Sequence, residues 1–194
     1  MQLEPKVLEN RVVRLEPMGE ARREELQAAC DADADFFRAM YPYSWAGEHF
    51  MPTWDKLMAD QAAGNTLGFA VVVDGLCRGI STYYAIDRAN DVVEIGGTYY
   101  HPDLRGGAVN PAAKRLMMGH AFDGGARRVV YRVDAINARS RAAVLKLGAV
   151  QEGILRQDRV TFTGRIRDTV IFSVLAEEWP AVRRGLEARL ADFA

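Results

Sequence analysis

The segment Val92–Pro111, VVEIGGTYYHPDLRGGAVNP, carries residue types that can hold an anion. A strand-like run ends at His101-Pro102, and Arg105, Gly106, Gly107, Ala108, Val109 and Asn110 then lead into Pro111. From there apolar residues recur at helical spacing to Phe122. Glycines let a backbone approach an anion closely, and the first turn of a helix presents unpaired N–H groups at the positive end of its dipole. Asn110 suits a helix N-cap and Pro111 the first helical position. The spacing predicts a phosphate-holding turn between a strand and a helix; a tight loop that binds nothing has the same composition. The dinucleotide fingerprint G-x-G-x-x-G is missing, as are the loop G-x-x-x-x-G-K-[ST] and H-E-x-x-H. His49, His101 and His120 are widely spaced, so no metal is expected.

A second segment, DAINARSRAAVLKLGA from Asp134 to Ala149, reads as a short capped helix. Asn137 stands where it should start and Gly148 where it should stop. Ser140, Ala143, Val144 and Leu147 fall on one face, with Arg139, Arg141 and Lys146 off it. Ser140 thus shares an apolar stripe. Either it has work in a site, or its hydroxyl bonds to a carbonyl one turn back.

Together these segments resemble the GNAT superfamily of acyl-CoA-dependent N-acyltransferases. The carrying pattern is R-x-x-[small]-x-N opening one helix at Arg105–Asn110, then N-x-x-S and a glycine opening and closing the next at Asn137, Ser140 and Gly148. Glu94-Ile95-Gly96, the arm GRIRDTVIFSVL from Gly164 to Leu175 and Glu178-Trp179-Pro180 narrow the resemblance to the branch of the RimJ/RimL-type N-terminal acetyltransferases of ribosomal proteins. The likeness spans about Val92 to Pro180. One position departs: the family's turn has glycine where this chain has Ala108. If that position needs positive φ, alanine is costly there, and the turn either follows a different path or holds its ligand less firmly.

The resemblance implies acetyl-CoA as co-substrate and a primary amine, of a small molecule or a peptide N-terminus, as acceptor. The pantetheine arm would bond to backbone near Thr98, Tyr99 and Tyr100, in a gap between two diverging strands. The pyrophosphate would rest on the N–H groups of Arg105, Gly106, Gly107, Ala108, Val109 and Asn110, and Asn137 would bond to the pantetheine. A bulge near Gly96-Gly97 would open the gap. Glu94 is the expected general base, unless it is only a salt-bridge partner. Strict alternation puts it on one face with Gly96, Thr98 and Tyr100. Ser140 is the expected proton donor to the leaving thiolate, with Tyr99, Tyr100 and Tyr131 as rivals, and Ser140 also lines the cofactor site. The aromatic stretch Phe36–Trp54 is expected to wall the acceptor pocket. A non-catalytic CoA-binding or regulatory protein of the same fold is the alternative, and an anion-binding module without CoA preference a further one.

The elements that must position these residues follow from pattern. Arg11–Glu16, Leu67–Val73, Cys77–Tyr84, Val92–Tyr100, Arg128–Asp134, Gln151–Phe162 and Arg167–Leu175 read as strands. Asp74-Gly75 and Thr163-Gly164 mark tight turns. Helices are expected over Glu20–Ala32, from Thr53 or Asp55 to Ala63, from the glycine turn to about Gly124, over Ala138–Leu147 and from about Glu177 to Asp192. This predicts a single mixed α/β (α+β) GNAT-like domain over residues 1–194. Its central sheet would have about seven strands, mostly antiparallel and splayed in a V, flanked by helices.

Composition agrees. Hydrophobic residues make up 49% and charged ones 26%, ordinary for a globular protein. The N-terminus lacks a basic patch followed by an apolar core, and no apolar run approaches a membrane span, so a cytoplasmic protein without membrane contact is expected. Cys30 and Cys77 have no motif spacing and read as reduced, buried thiols. Residues 1–104 hold 9 Lys+Arg against 17 Asp+Glu, a net −8, and residues 105–194 hold 16 against 9, a net +7. The basic half carries the proposed phosphate turn, which suits polyanionic CoA. The excess is spread thinly, without aromatic interleaving, so nucleic acid is not expected as a partner. A homodimer is compatible with the pattern.

Overall fold

Asp74 and Gly75, at φ 52° and 80°, close the two-residue turn expected between the third and fourth strands, and around this hairpin the sheet grows. The computed structural model describes residues 1–193. Its strands are β1 (Leu8–Glu9), β2 (Arg14–Pro17), β3 (Leu67–Val73), β4 (Leu76–Asp87), β5 (Val92–Tyr100), β6 (Arg128–Asp134), β7 (Val150–Val160) and β8 (Ile166–Leu175). Its helices are α1 (Arg23–Asp31), α2 (Ala34–Met40), α3 (Phe50–Ala62), α4 (Val109–Asp123), α5 (Ala138–Lys146) and α6 (Trp179–Ala191). The strands form one sheet in the order β1-β2-β3-β4-β5-β6-β8-β7. Only β5 and β6 pair in parallel, and α4 makes the crossover between them.

The sheet has eight strands rather than about seven. The Asn10 side chain accepts from the Val12 and Val13 N–H groups and turns the chain, so the expected first strand becomes two short ones. The aromatic segment also contains a helix that pattern did not show, α2, which buries Phe37.

Two apolar layers fix the helices. On one face Val93, Ile95, Tyr100, Val129 and Phe172 pack with Ala113, Met117, Val144 and Leu186 of α4–α6. On the other, Ile80 and Tyr99 pack with Leu26, Phe37, Phe50 and Trp54 of α1–α3. Each buried Val, Leu, Ile, Phe or Met among them contributes about 1.5–3 kcal/mol, so both helical layers are held against the strands that form the cleft. Among the described residues no helix is long and apolar enough to cross a membrane.

Candidate active site

The cleft begins where β5 leaves β6. Their pairing covers only Val92–Glu94 against Arg128–Val130. Beyond it β5 stays paired to β4, but the register jumps from Ile80↔Tyr99 to Thr82↔Gly96, inserting one extra residue. Gly97 takes φ 54° at this bulge, and an added Cβ would stand 2.5 Å from the Tyr84 hydroxyl and 2.8 Å from that of Tyr43. The expected bulge is therefore present, but it overturns the expected alternation. One extra residue inverts every later side chain. Thr98 and Tyr100 lie on the α4 face with Val93 and Ile95, not on the face of Glu94. Tyr99 turns the other way, stacks on Phe37 at 4.7 Å and donates its hydroxyl to the Ala29 carbonyl at 2.8 Å. Its hydroxyl is thus engaged away from the cleft.

The glycine turn follows. Gly106 takes φ 85°, a value open to glycine without strain. Helix α4 starts at Val109, earlier than expected. Ala108 occupies the cap position, Asn110 and Pro111 lie inside the first turn, and neither is the cap. Pro111 is tolerated there because the first-turn N–H groups lack intrahelical partners anyway. Ala108 has φ −70°, so the anticipated strain of alanine does not arise. The Arg105 N–H donates to the Pro102 carbonyl at 3.1 Å. The N–H groups of Gly106, Gly107, Ala108, Val109 and Asn110 donate to no other group among the described residues. The Arg105 side chain turns from the run: it pairs with Asp33, donates to the Tyr100 carbonyl at 2.9 Å and lies over the Phe36 ring at 4.3 Å. It ties the turn to α2.

Asn137 caps α5 as expected, its side chain accepting from the Ser140 N–H at 2.9 Å. Ser140 is half-buried and lines the cleft. A cleft of about 620 Å³ brings together Glu94, Thr98, Tyr100, Arg105, Gly106, Gly107, Asn110, Asn137 and Ser140. Tyr99, Ala108 and Val109 do not line it with side chains.

Glu94 is largely buried, and burial pushes its carboxyl above the ordinary carboxylate range, partly countered by Arg132, Arg159 and Arg167. Arg132 Nε lies 3.3 Å from Glu94 Oε2. The missing side chain at Gly96 leaves room for the carboxylate, since a Cβ there would meet Glu94 Oε1 at 3.0 Å. Across from it Tyr41, Tyr43 and Tyr84 form a wall. The Tyr41 hydroxyl donates to the Thr98 carbonyl, and the Tyr43 and Tyr84 hydroxyls are 3.0 Å apart. The expected aromatic stretch thus reaches the cleft through Phe36, Tyr41 and Tyr43, while Phe37, Trp45, Phe50 and Trp54 are core.

Pattern reading missed two groups. Lys114, only 5% exposed, donates to Ser81 Oγ at 2.9 Å and Thr98 Oγ1 at 2.5 Å. Burial lowers its pKa to about 7. The signal was a lysine on the helix face of the buried Met117 and Met118. The arginines around Glu94 come from β6, β7 and β8, which only the sheet order brings together. The Tyr100 and Tyr131 hydroxyls are buried in the cleft wall without a hydrogen-bond partner among the described residues. Such orphans in a native structure point to a missing partner.

Comparison with known proteins agrees with this geometry. Residues 13–150 match the family described as Acetyltransferase (GNAT) domain. The chain belongs to the GNAT acetyltransferase family. A GCN5-related N-acetyltransferase from Brucella melitensis is 35% identical, with a TM-score of 0.87 over 96% of this chain and 86% of that one. Mycobacterium smegmatis RimJ, solved in complex with CoA-disulfide, is 24% identical and has a TM-score of 0.84 over 95% of both chains. RimL, a ribosomal L7/L12 alpha-N-protein acetyltransferase solved without ligand, has the same fold at 16% identity, with a TM-score of 0.79 over 88% of this chain and 94% of that one. No curated protein matches.

As a GNAT acetyltransferase the chain is an acetyl-CoA-dependent acyltransferase. Its residues fit that co-substrate: five N–H groups stand open at the α4 terminus, and two orphaned hydroxyls line the same cleft. The site has three parts, a turn with open N–H groups, a widened strand gap and a buried carboxylate beside tyrosines.

Proposed function

We infer that this GNAT acetyltransferase moves an acetyl group from acetyl-CoA to a primary amine by direct attack in a ternary complex. The observation that supports it most is the meeting of the open Gly106–Asn110 N–H run and the buried Glu94 carboxylate in one cleft. Acetyl-CoA supplies an activated acyl thioester, so no covalent enzyme intermediate is needed.

The chain's own residues do the rest. The N–H groups of Gly106, Gly107, Ala108, Val109 and Asn110 hold the pyrophosphate at the positive end of α4. Arg105 keeps the turn in place through Asp33 and Tyr100. Asn137 and the backbone of Thr98–Tyr100 hold the pantetheine. Glu94 takes the proton from the incoming ammonium, directly or through a water; its raised pKa brings it closer to working pH, where a base is most effective. A backbone N–H at the bulge polarises the acyl carbonyl. Ser140 gives a proton to the departing thiolate, with Tyr100 and Tyr131 next in line by their unpaired hydroxyls. The acceptor is the amine of a small molecule or a peptide N-terminus, entering past Tyr41, Tyr43 and Tyr84.

Thiol release from acetyl-CoA with a panel of amines tests the reading. Acetyl-CoA also stabilises the fold, by about 2.7 kcal/mol when a hundredfold above its dissociation constant. A thermal melt unmoved by millimolar acetyl-CoA overturns it.

A further inference from the structure

The arginines beside Glu94 are not evenly matched by acids. Arg132, Arg159, Arg165 and Arg167 face Glu94, Asp158 and Asp134. Arg132 lies 3.3 Å from Glu94, Arg159 3.1 Å from Asp158 and Arg165 2.5 Å from Asp134. Arg167 shares that last carboxylate at 3.9 Å, beyond hydrogen-bonding reach. Its bonds go to neutral oxygens, Thr169 Oγ1 at 3.0 Å and the Arg132 carbonyl at 3.4 Å. Yet Arg167 is only 5% exposed and lines the cleft together with Arg132 and Arg159. Arg165 holds the Asp134 carboxylate more closely, and a guanidinium kept out of water with only a distant, shared counter-ion destabilises the fold. An anion entering the cleft offsets that penalty with charge-assisted bonds.

We propose that the acceptor amine carries an anionic group, a carboxylate or phosphate a few bonds from its nitrogen, and that Arg167 with Arg159 receives it. The inference rests on the acetyl-transfer reading for the word acceptor, and on the arginine geometry for the charge. Arg167, Arg159 and Glu94 line one cleft, so one bound molecule can meet both the arginines and the base. The group has two sources. It can belong to a free amino acid or phosphorylated amine, or to an acidic residue next to a peptide N-terminus.

The experiment compares acceptors in matched pairs: alanine with alaninamide, phosphoethanolamine with ethanolamine, and Ala-Asp amide with Ala-Asn amide. The readout is kcat/KM for thiol release from acetyl-CoA. The anionic member of at least one pair is favoured by about tenfold to a hundredfold, as expected for one charge-assisted bond. The pair that shows it names the source. Arg167→Met abolishes the preference, and Arg159→Gln, at a more exposed position, reduces it even if the first variant folds poorly. A preference for the neutral member, equal rates, or a preference kept in both variants overturns the proposal. The N-acetyl products of the same matched pairs are also titrated calorimetrically, with and without CoA. If no amine is acetylated, tighter binding of the acid, lost in Arg167→Met, still supports the anion site, and equal or absent binding overturns it. Absence of acetyl-CoA binding overturns the acetyl-transfer reading alone.

Discussion

Lys114 Nζ lies 2.5 Å from Thr98 Oγ1, so an amine on the second turn of α4 braces the bulge residue of β5. Its other partner is the Ser81 hydroxyl, and neither partner carries charge. Burial lowers the Lys114 pKa from 10.5 to about 7. A folded pKa below the unfolded one means that the unfolded chain binds the extra proton. Stability therefore rises with pH between about 7 and 10.5 and is weakest when the native lysine is charged. Lys114→Met should raise the melting temperature at pH 7, with a gain that shrinks towards pH 10. With ~1.4 kcal/mol per pKa unit the effect amounts to a few kcal/mol. Ser81 and Thr98, 2.8 Å apart, can still bond to each other. Denaturant melts of both proteins across that range check the sign.

Glu94→Gln should lower kcat/KM by about 10²–10⁴-fold near pH 7, the usual contribution of a general base. Glutamine keeps the size and fits beside Gly96, so folding and acetyl-CoA affinity should survive. The loss should narrow at high pH, where free amine is plentiful. Parallel pH profiles for the two proteins would remove Glu94 as base and leave the cofactor site standing.

Ser140→Ala and Tyr131→Phe separate the candidate acids. The Tyr131 hydroxyl has no partner among the described residues, so its removal should leave stability unchanged or raise it by about 1 kcal/mol. If Ser140 is the donor, Ser140→Ala lowers kcat while acetyl-CoA affinity barely moves, and Tyr131→Phe stays active. The reverse outcome in a side-by-side rate measurement assigns the role to the tyrosine.

Gly97→Ala should damage the site more than its size suggests. The new Cβ meets two tyrosine hydroxyls below 3 Å at a φ of 54°, so the bulge must shift. Strain at such a position costs on the order of 1–3 kcal/mol. Turnover should fall with it, whereas Ala108→Gly, at a φ of −70°, should leave acetyl-CoA affinity unchanged. Calorimetric titration of both variants tests the contrast.

The sequence made local features readable. Asp74-Gly75, the Asn137 cap and the glycine pair at the bulge act within a few residues, where propensity decides. The glycine turn lies between strand and helix as expected, but the helix starts before Asn110, because Ala108 needs no side-chain cap. Long-range features were not readable. Which face Thr98 shares depends on one inserted residue in a register with β4. Arg159 and Arg167 reach Glu94 only because β8 returns beside β6, with β7 outside it. Helix α2 hid inside an aromatic stretch whose side chains split between core and cleft.

The short β5–β6 pairing has a consequence for how the molecule is assembled. Strands β1–β5 all precede the glycine turn in sequence, and β6–β8 all follow it, so the sheet is two successive half-sheets stitched by three residue pairs. The first half carries the net −8 and the second the net +7. A chain nicked in the turn would therefore leave two fragments of opposite charge whose apolar faces still match. Their reassociation would weaken as salt screens the attraction. The cleft is lined from both halves, so acetyl-CoA bound as proposed would act as the clasp between them.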